Sequence, residues 1–97
     1  MAYLLKVDGT MEYMGQNPPL KLLQKAVGGW IEPVMMANGD IMYCNEEGKI
    51  MDLPPNPAAN KLISFAYDYI VGDVVIMSDD MPPNPTNENL LKTGDDE

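Results

Sequence analysis

The sequence predicts an α+β domain: a small, mostly antiparallel sheet of about five strands with two helices on one face. Three observations carry this reading. Asp8-Gly9 and Asn38-Gly39 are hairpin dipeptides between short apolar runs. Asn-Pro pairs at Asn17-Pro18 and Asn56-Pro57 precede helical periodicity. Val74-Val75-Ile76-Met77 is an unbroken apolar run of strand length, which suits a buried position in a sheet.

The elements follow in order. Residues 2–7 read as a first strand, and residues 10–14 return after Asp8-Gly9 as a short second one. Asn17 is placed to cap a helix that Pro18 begins, since proline's missing N–H needs no partner in the first turn. Leu20, Leu23 and Val27 fall at helical spacing, with Lys21, Gln24 and Lys25 on the other side. Gly28-Gly29 stops this helix and supplies a left-handed cap. Residues 30–36 and 40–45 form the next two strands around Asn38-Gly39. A turn follows at Asn45-Glu46-Glu47-Gly48-Lys49, then a brief strand or bridge at Ile50-Met51. Asn56 and Pro57 start a second helix, expected to run to about Tyr67 with Ala59, Leu62, Ile63 and Ala66 on one face. Residues 1–78 are thus read as one compact domain.

Residues 79–97 read as an acidic, proline-containing C-terminal tail with room for a short helix at 86–92. Met81-Pro82-Pro83-Asn84-Pro85 repeats the helix-start pattern of Leu53 to Pro57 there. Five repeated residues do not make a repeat architecture.

Composition narrows function by what it omits. The chain of 97 residues has no histidine, no arginine, one cysteine and two serines. Imidazole and activated hydroxyl or thiol groups carry most catalysis near neutral pH. Arginine carries most phosphate recognition. The sequence therefore points to a protein that holds a ligand or partner, not to an enzyme. Zinc ligation has no basis in one cysteine without histidine, and neither cofactor nor metal is expected. Cys44, inside a strand, reads as a buried and inert thiol.

The formal charge is −9, from fifteen acids and six lysines. Six of those acids, against Lys92 alone, fall in residues 79–97. Six scattered lysines do not supply the clustered cations that duplex binding requires, so direct nucleic-acid binding is not expected. The acidic surplus reads either as a solvated tail or as a surface that imitates a nucleic-acid backbone before a basic partner. No apolar run approaches bilayer length and no signal peptide opens the chain, so a cytoplasmic protein without a membrane partner is expected. A core this small gains from further burial, which makes a homo-oligomer reasonable.

One constellation suggests a site. Trp30 and Glu32 share a side of their strand, as do Tyr43 and Asn45 of the next. On one open face, these four would offer an indole, a carboxylate, a phenol and an amide to a planar polar ligand such as a base or a nicotinamide. Lys49 or Lys25 would meet a phosphate. The competing reading is a core tryptophan with Glu32 at the sheet edge.

Residues 26–78 also resemble a known family. The resemblance lies in Ala26-Val27-Gly28-Gly29-Trp30-Ile31-Glu32, Asn45-Glu46-Glu47-Gly48-Lys49, Leu53-Pro54 with Asn56-Pro57-Ala58-Ala59, and Ile70-Val71-Gly72-Asp73-Val74-Val75. Small proteins of bacteriophages, plasmids and other mobile elements share this pattern, which is classed as a domain of unknown function. Pro33 departs from it, standing where an aliphatic residue is the rule; a proline there implies an edge strand. The resemblance implies a mobile-element origin and no particular activity. By analogy with small phage proteins, it raises the expectation of counter-defence through sequestration of a nucleotide-derived immune signal. The alternatives are an acidic inhibitor of a host enzyme and a virion or assembly accessory protein.

Overall fold

The structure, a computed structural model, describes residues 1–63 and 69–78. Its centre is a five-stranded sheet of β1 (Ala2–Leu5), β2 (Met11–Gly15), β3 (Ile31–Met35), β4 (Ile41–Asn45) and β5 (Val74–Met77). The spatial order is β2-β1-β5-β4-β3, and every neighbouring pair is antiparallel. The apolar run at Val74–Met77 is the central strand, as its composition requires.

Both hairpins use the same three-residue loop. Gly9 donates to the Lys6 carbonyl and Lys6 to the Thr10 carbonyl; Gly39 donates to the Met36 carbonyl and Met36 to the Asp40 carbonyl. The loop glycines have φ of 92° and 95°, the left-handed region that lets the chain reverse without Cβ strain. Asp8 and Asn38 each accept a bond from the backbone N–H two residues on. Thr10 holds the Asp8 carboxyl below its ordinary range, through its backbone N–H first and then its hydroxyl.

The loop length sets the register. Met36 faces Asp40, so Glu32 pairs with Cys44 and Pro33 with Tyr43. The next N–H bond along this ladder joins Glu46 to the Trp30 carbonyl. Ladder bonds alternate, so residues 30, 32, 34 and 36 turn their amides toward β4 and Pro33 faces outward. Its missing N–H costs no ladder bond and leaves this edge of the sheet without a donor there.

Helix α1 (Leu20–Val27) is amphipathic as expected, with Leu23 and Val27 buried. Its start differs from expectation. Pro19 occupies the N-cap position and no side chain caps the helix, so Asn17 and Pro18 stand before it. Leu22 and Leu23 donate to the Pro19 carbonyl instead. Gly28 ends it with φ 86°, donating to the Gln24 carbonyl.

Helix α2 is a single turn, Pro57–Asn60, and does not continue to Tyr67. Leu62 donates to the Ala59 carbonyl in a closing turn, and Ile63 forms a bridge with Met36. Ile63 thereby completes the sheet side of the core instead of a helix face. Residues 64–68 of the expected helix, and the whole tail from Asp79 with its expected helix at 86–92, lie outside the described residues. Ile50 and Met51 sit in a turn, not a strand.

The two helices lie on opposite faces, which corrects the expectation of one shared face. Leu23 and Val27 of α1 pack with Val75 and Ala2 on one side. Ala58 and Ala59 of α2 pack with Leu5, Val74, Ile76, Met42 and Cys44 on the other. The alternation of β5 explains this: Val74 and Ile76 face one way and Val75 and Met77 the other. A strand apolar on both faces needs a cover on both.

The second cover hangs on Asn56, which is fully buried. Its Oδ1 accepts from the Ala59 N–H at 3.1 Å and caps α2. Its Nδ2 donates to the carbonyls of Leu5 at 3.1 Å and Gly72 at 2.9 Å. Its backbone N–H donates to the Ile70 carbonyl. Asn60 adds bonds to both the N–H and the carbonyl of Ile70. No helix among the described residues is long and apolar enough to cross a membrane.

Replacing Asn56 with alanine leaves two buried carbonyls without this donor and removes the cap. We expect a loss of about 2–4 kcal/mol in unfolding free energy, measured by urea denaturation. A loss within error of zero would show that water or a shift of the backbone satisfies these groups.

Candidate ligand-binding site

A cavity of about 150 Å³ opens where β3 and β4 meet the turn after β4 and the segment before β5. Its lining includes Glu32, Val34, Cys44, Lys49, Tyr69 and Val71. The turn is shaped by Asn45 and Gly48. Asn45 accepts from the Glu47 N–H through Oδ1, while Gly48 donates to the Asn45 carbonyl and Leu53 to the Gly48 carbonyl. A Cβ on Gly48 would stand 2.9 Å from the Val71 Cγ2, so only glycine lets the turn lie this close to the opposite wall. That contact brings Lys49 and Ile50 to the cavity mouth.

Glu32 stands on the sheet directly across from Cys44. The Cys44 thiol is pushed up to about 12, by burial first and then by the Glu32 charge. The carboxylate is therefore felt at the cavity floor, and the thiol stays protonated in the neutral range. Lys49 lies with its Nζ 4.3 Å from the centroid of the Tyr69 ring, a cation–π contact. Ile50 at the mouth is 85% exposed. The site thus combines an acceptor-only carboxylate, a donor-only ammonium and an apolar wall.

The structure divides the six expected site residues. Glu32 and Lys49 line the cavity together. Trp30 is 67% exposed and does not line the cavity; it opposes Glu46, a lining residue, so alternation puts it on the Glu32 side of the strand. Tyr43 is on the other face: it opposes Pro33 and packs in the α1 cluster. Asn45 opposes Ile31, is buried, and donates to the Val27 carbonyl at the end of α1 and to the Met51 sulfur. It touches the cavity wall, but its amide serves the turn and the helix. Lys25 borders a different, more open groove with Leu53 and Asp73. Sequence reading missed Tyr69, Cys44 and Val71 as lining; Cys44 meets Glu32 through the hairpin register, whereas the nearness of Tyr69 and Val71 depends on contacts across the β4–β5 connection that are distant in sequence. Among the described residues, no group of three or more His, Cys, Asp or Glu side chains could hold a metal ion.

Fold and site together define a small α+β domain with one sheet, covered on both faces, and a mixed polar and apolar cavity at its β3–β4 end. The chain belongs to the family described as Domain of unknown function (DUF3846), whose match covers residues 2–87. The match is wider than the 26–78 on which the resemblance rests. It takes in β1, β2 and α1 and passes into the segment after Ser78. No curated protein and no solved structure matches the chain.

The Cys44 shift has a consequence for stability. The unfolded thiol loses its proton near 9.0, while the folded one holds it to about 12. Below pH 9 the two states bind the same proton and the contribution is intact. Between 9 and 12 the unfolded chain sheds it first, so stability falls as pH rises through this window. Burial, followed by the Tyr13 charge, also raises the Tyr3 hydroxyl, with the same sign. Urea melts at pH 8 and pH 10.5 should show a smaller decline for Cys44→Ala than for the parent chain. Equal declines would mean that the thiol is not held protonated.

Proposed function

We propose that this chain is a non-enzymatic binding protein that sequesters a small nucleotide-derived signal, acting as a mobile-element counter-defence protein in the host cytoplasm. The observation that carries the reading is the cavity in which Glu32, Lys49 and Tyr69 meet an apolar wall. A cavity of this volume admits one aromatic ring. Such a mixture of ring-sized apolar space with a few orienting polar groups suits a planar base. Trp30, exposed on the Glu32 side of its strand, is available for stacking on whatever projects outward, and Lys49 is the ammonium of the cavity lining, able to meet a phosphate or a ring carbonyl. The absence of histidine and arginine from the whole chain supports holding over turnover.

Calorimetry against cyclic dinucleotides and cyclic ADP-ribose isomers tests this. Saturable heat with one class, lost in Lys49→Ala or Trp30→Ala, is the expected result. No heat from any of them, at tens of micromolar protein, would sink the proposal.

The charge of −9 favours one second reading, an acidic protein-directed inhibitor that imitates nucleic acid. In that case removal of residues 79–97 should abolish inhibition of the target enzyme. Full potency after truncation would count against mimicry by that segment.

A further inference from the structure

We infer, resting on the ligand-binding reading above, that Glu32 sets the ligand class: the cavity takes a ring edge that presents two adjacent N–H donors beside a carbonyl, the edge that guanine carries. The polar side chains of the cavity lining are Glu32, Cys44, Asn45, Glu46, Lys49 and Tyr69. Glu32 is acceptor-only when ionised, with two oxygens side by side. Lys49 offers only donors. Asn45 reaches the wall with its amide already engaged by Val27, Met51 and Glu47. The Cys44 thiol, protonated at neutral pH, is at best a weak donor.

A carboxylate is best matched by two parallel donors, because both oxygens are then bonded at once. Guanine presents N1–H and the N2 amino group next to each other, with O6 beside them for an ammonium. Adenine and cytosine present one amino group next to a ring acceptor, which would set a lone pair against a carboxylate oxygen. Uracil presents a single N–H between two carbonyls. Hypoxanthine keeps N1–H and O6 but lacks the second donor.

Electrostatics strengthen the case. Glu32 and Glu46 both line this cavity, with Lys49 as the cation among its lining residues, in a chain of formal charge −9. That field makes the phosphates the weaker contributors to binding. Affinity must then come from the neutral base edge, and an unphosphorylated guanosine should retain most of it.

The experiment is a titration of Trp30 fluorescence, the single indole of the chain, with guanosine, inosine, adenosine and uridine. Calorimetry runs in parallel, and the cyclic dinucleotides serve as the phosphorylated arm. Guanosine should bind about tenfold or more tighter than the other three nucleosides, the scale of one charge-assisted bond. Glu32→Gln should erase that preference while its melting temperature stays near the parent's, since Glu32 is an exposed edge residue. Equal affinity for guanosine and inosine, or an unchanged preference in Glu32→Gln, overturns the inference. Binding of nucleotides without any preference among bases overturns it too but leaves the sequestration reading standing. Silence from every nucleoside and nucleotide removes both.

Discussion

A single buried amide organises the half of the molecule that contains the cavity. The connection from β4 to β5 is long and, among the described residues, holds one turn of helix, so regular hydrogen bonding there is sparse. Asn56 secures it instead, through the cap on α2 and two bonds to backbone carbonyls. One of those carbonyls belongs to the end of β1 and the other to Gly72, just before β5. The Asn56 and Asn60 backbone and side-chain bonds then clasp Ile70 on both sides. A buried amide of this kind is favourable only when every donor and acceptor is satisfied, and here each is used. The far wall of the cavity, Tyr69 to Val71, is positioned as a consequence.

Gly48 and Gly72 transmit that placement to the near wall. Leu53 packs so close to Gly72 that a Cβ there would lie 2.8 Å from the Leu53 Cδ1, and Gly72 also has φ of 77°. Gly48 packs with similar closeness on Val71. The turn bearing Lys49 and the segment bearing Tyr69 are thus held against each other by two close packings on glycine, at Gly48 against Val71 and at Gly72, whose positive φ itself favours glycine. The ammonium over the phenol ring follows from this arrangement, not from local sequence.

Much of the fold was legible where the cause is local. The hairpin dipeptides, the apolar stripe of α1, its Gly28 cap, the Asn56-Pro57 start and the edge position signalled by Pro33 all express short-range rules. Other features depend on what a window of sequence does not contain. Asn17 and Pro18 have the chemistry of a helix start, yet Pro19 disfavours the helical conformation at Pro18, is itself extended at the N-cap, and the helix begins at Leu20. The stop of α2 at Asn60 depends on the bridge between Ile63 and Met36, a pairing distant in sequence. The covering of both faces was implicit in Val74 to Met77, since a strand apolar at every position must be buried twice.

Register decides which side chains meet at the cavity. A two-residue Asn38-Gly39 loop would pair Ala37 with Asp40 and set Glu32 opposite Asn45, with Tyr43 on the same face. The three-residue loop pairs Met36 with Asp40 and sets Glu32 opposite Cys44. One residue of slip transfers a whole strand to the other face. Tyr43 and Asn45 therefore serve the α1 side, and Glu32 finds Lys49 and Tyr69 instead. The most direct test of this account is a backbone amide chemical-shift map during titration with guanosine. Changes concentrated at residues 30–34, 44–51 and 69–71 are the predicted result. Changes centred on α1, around Lys25, or at the Asp40 end of the sheet would contradict it.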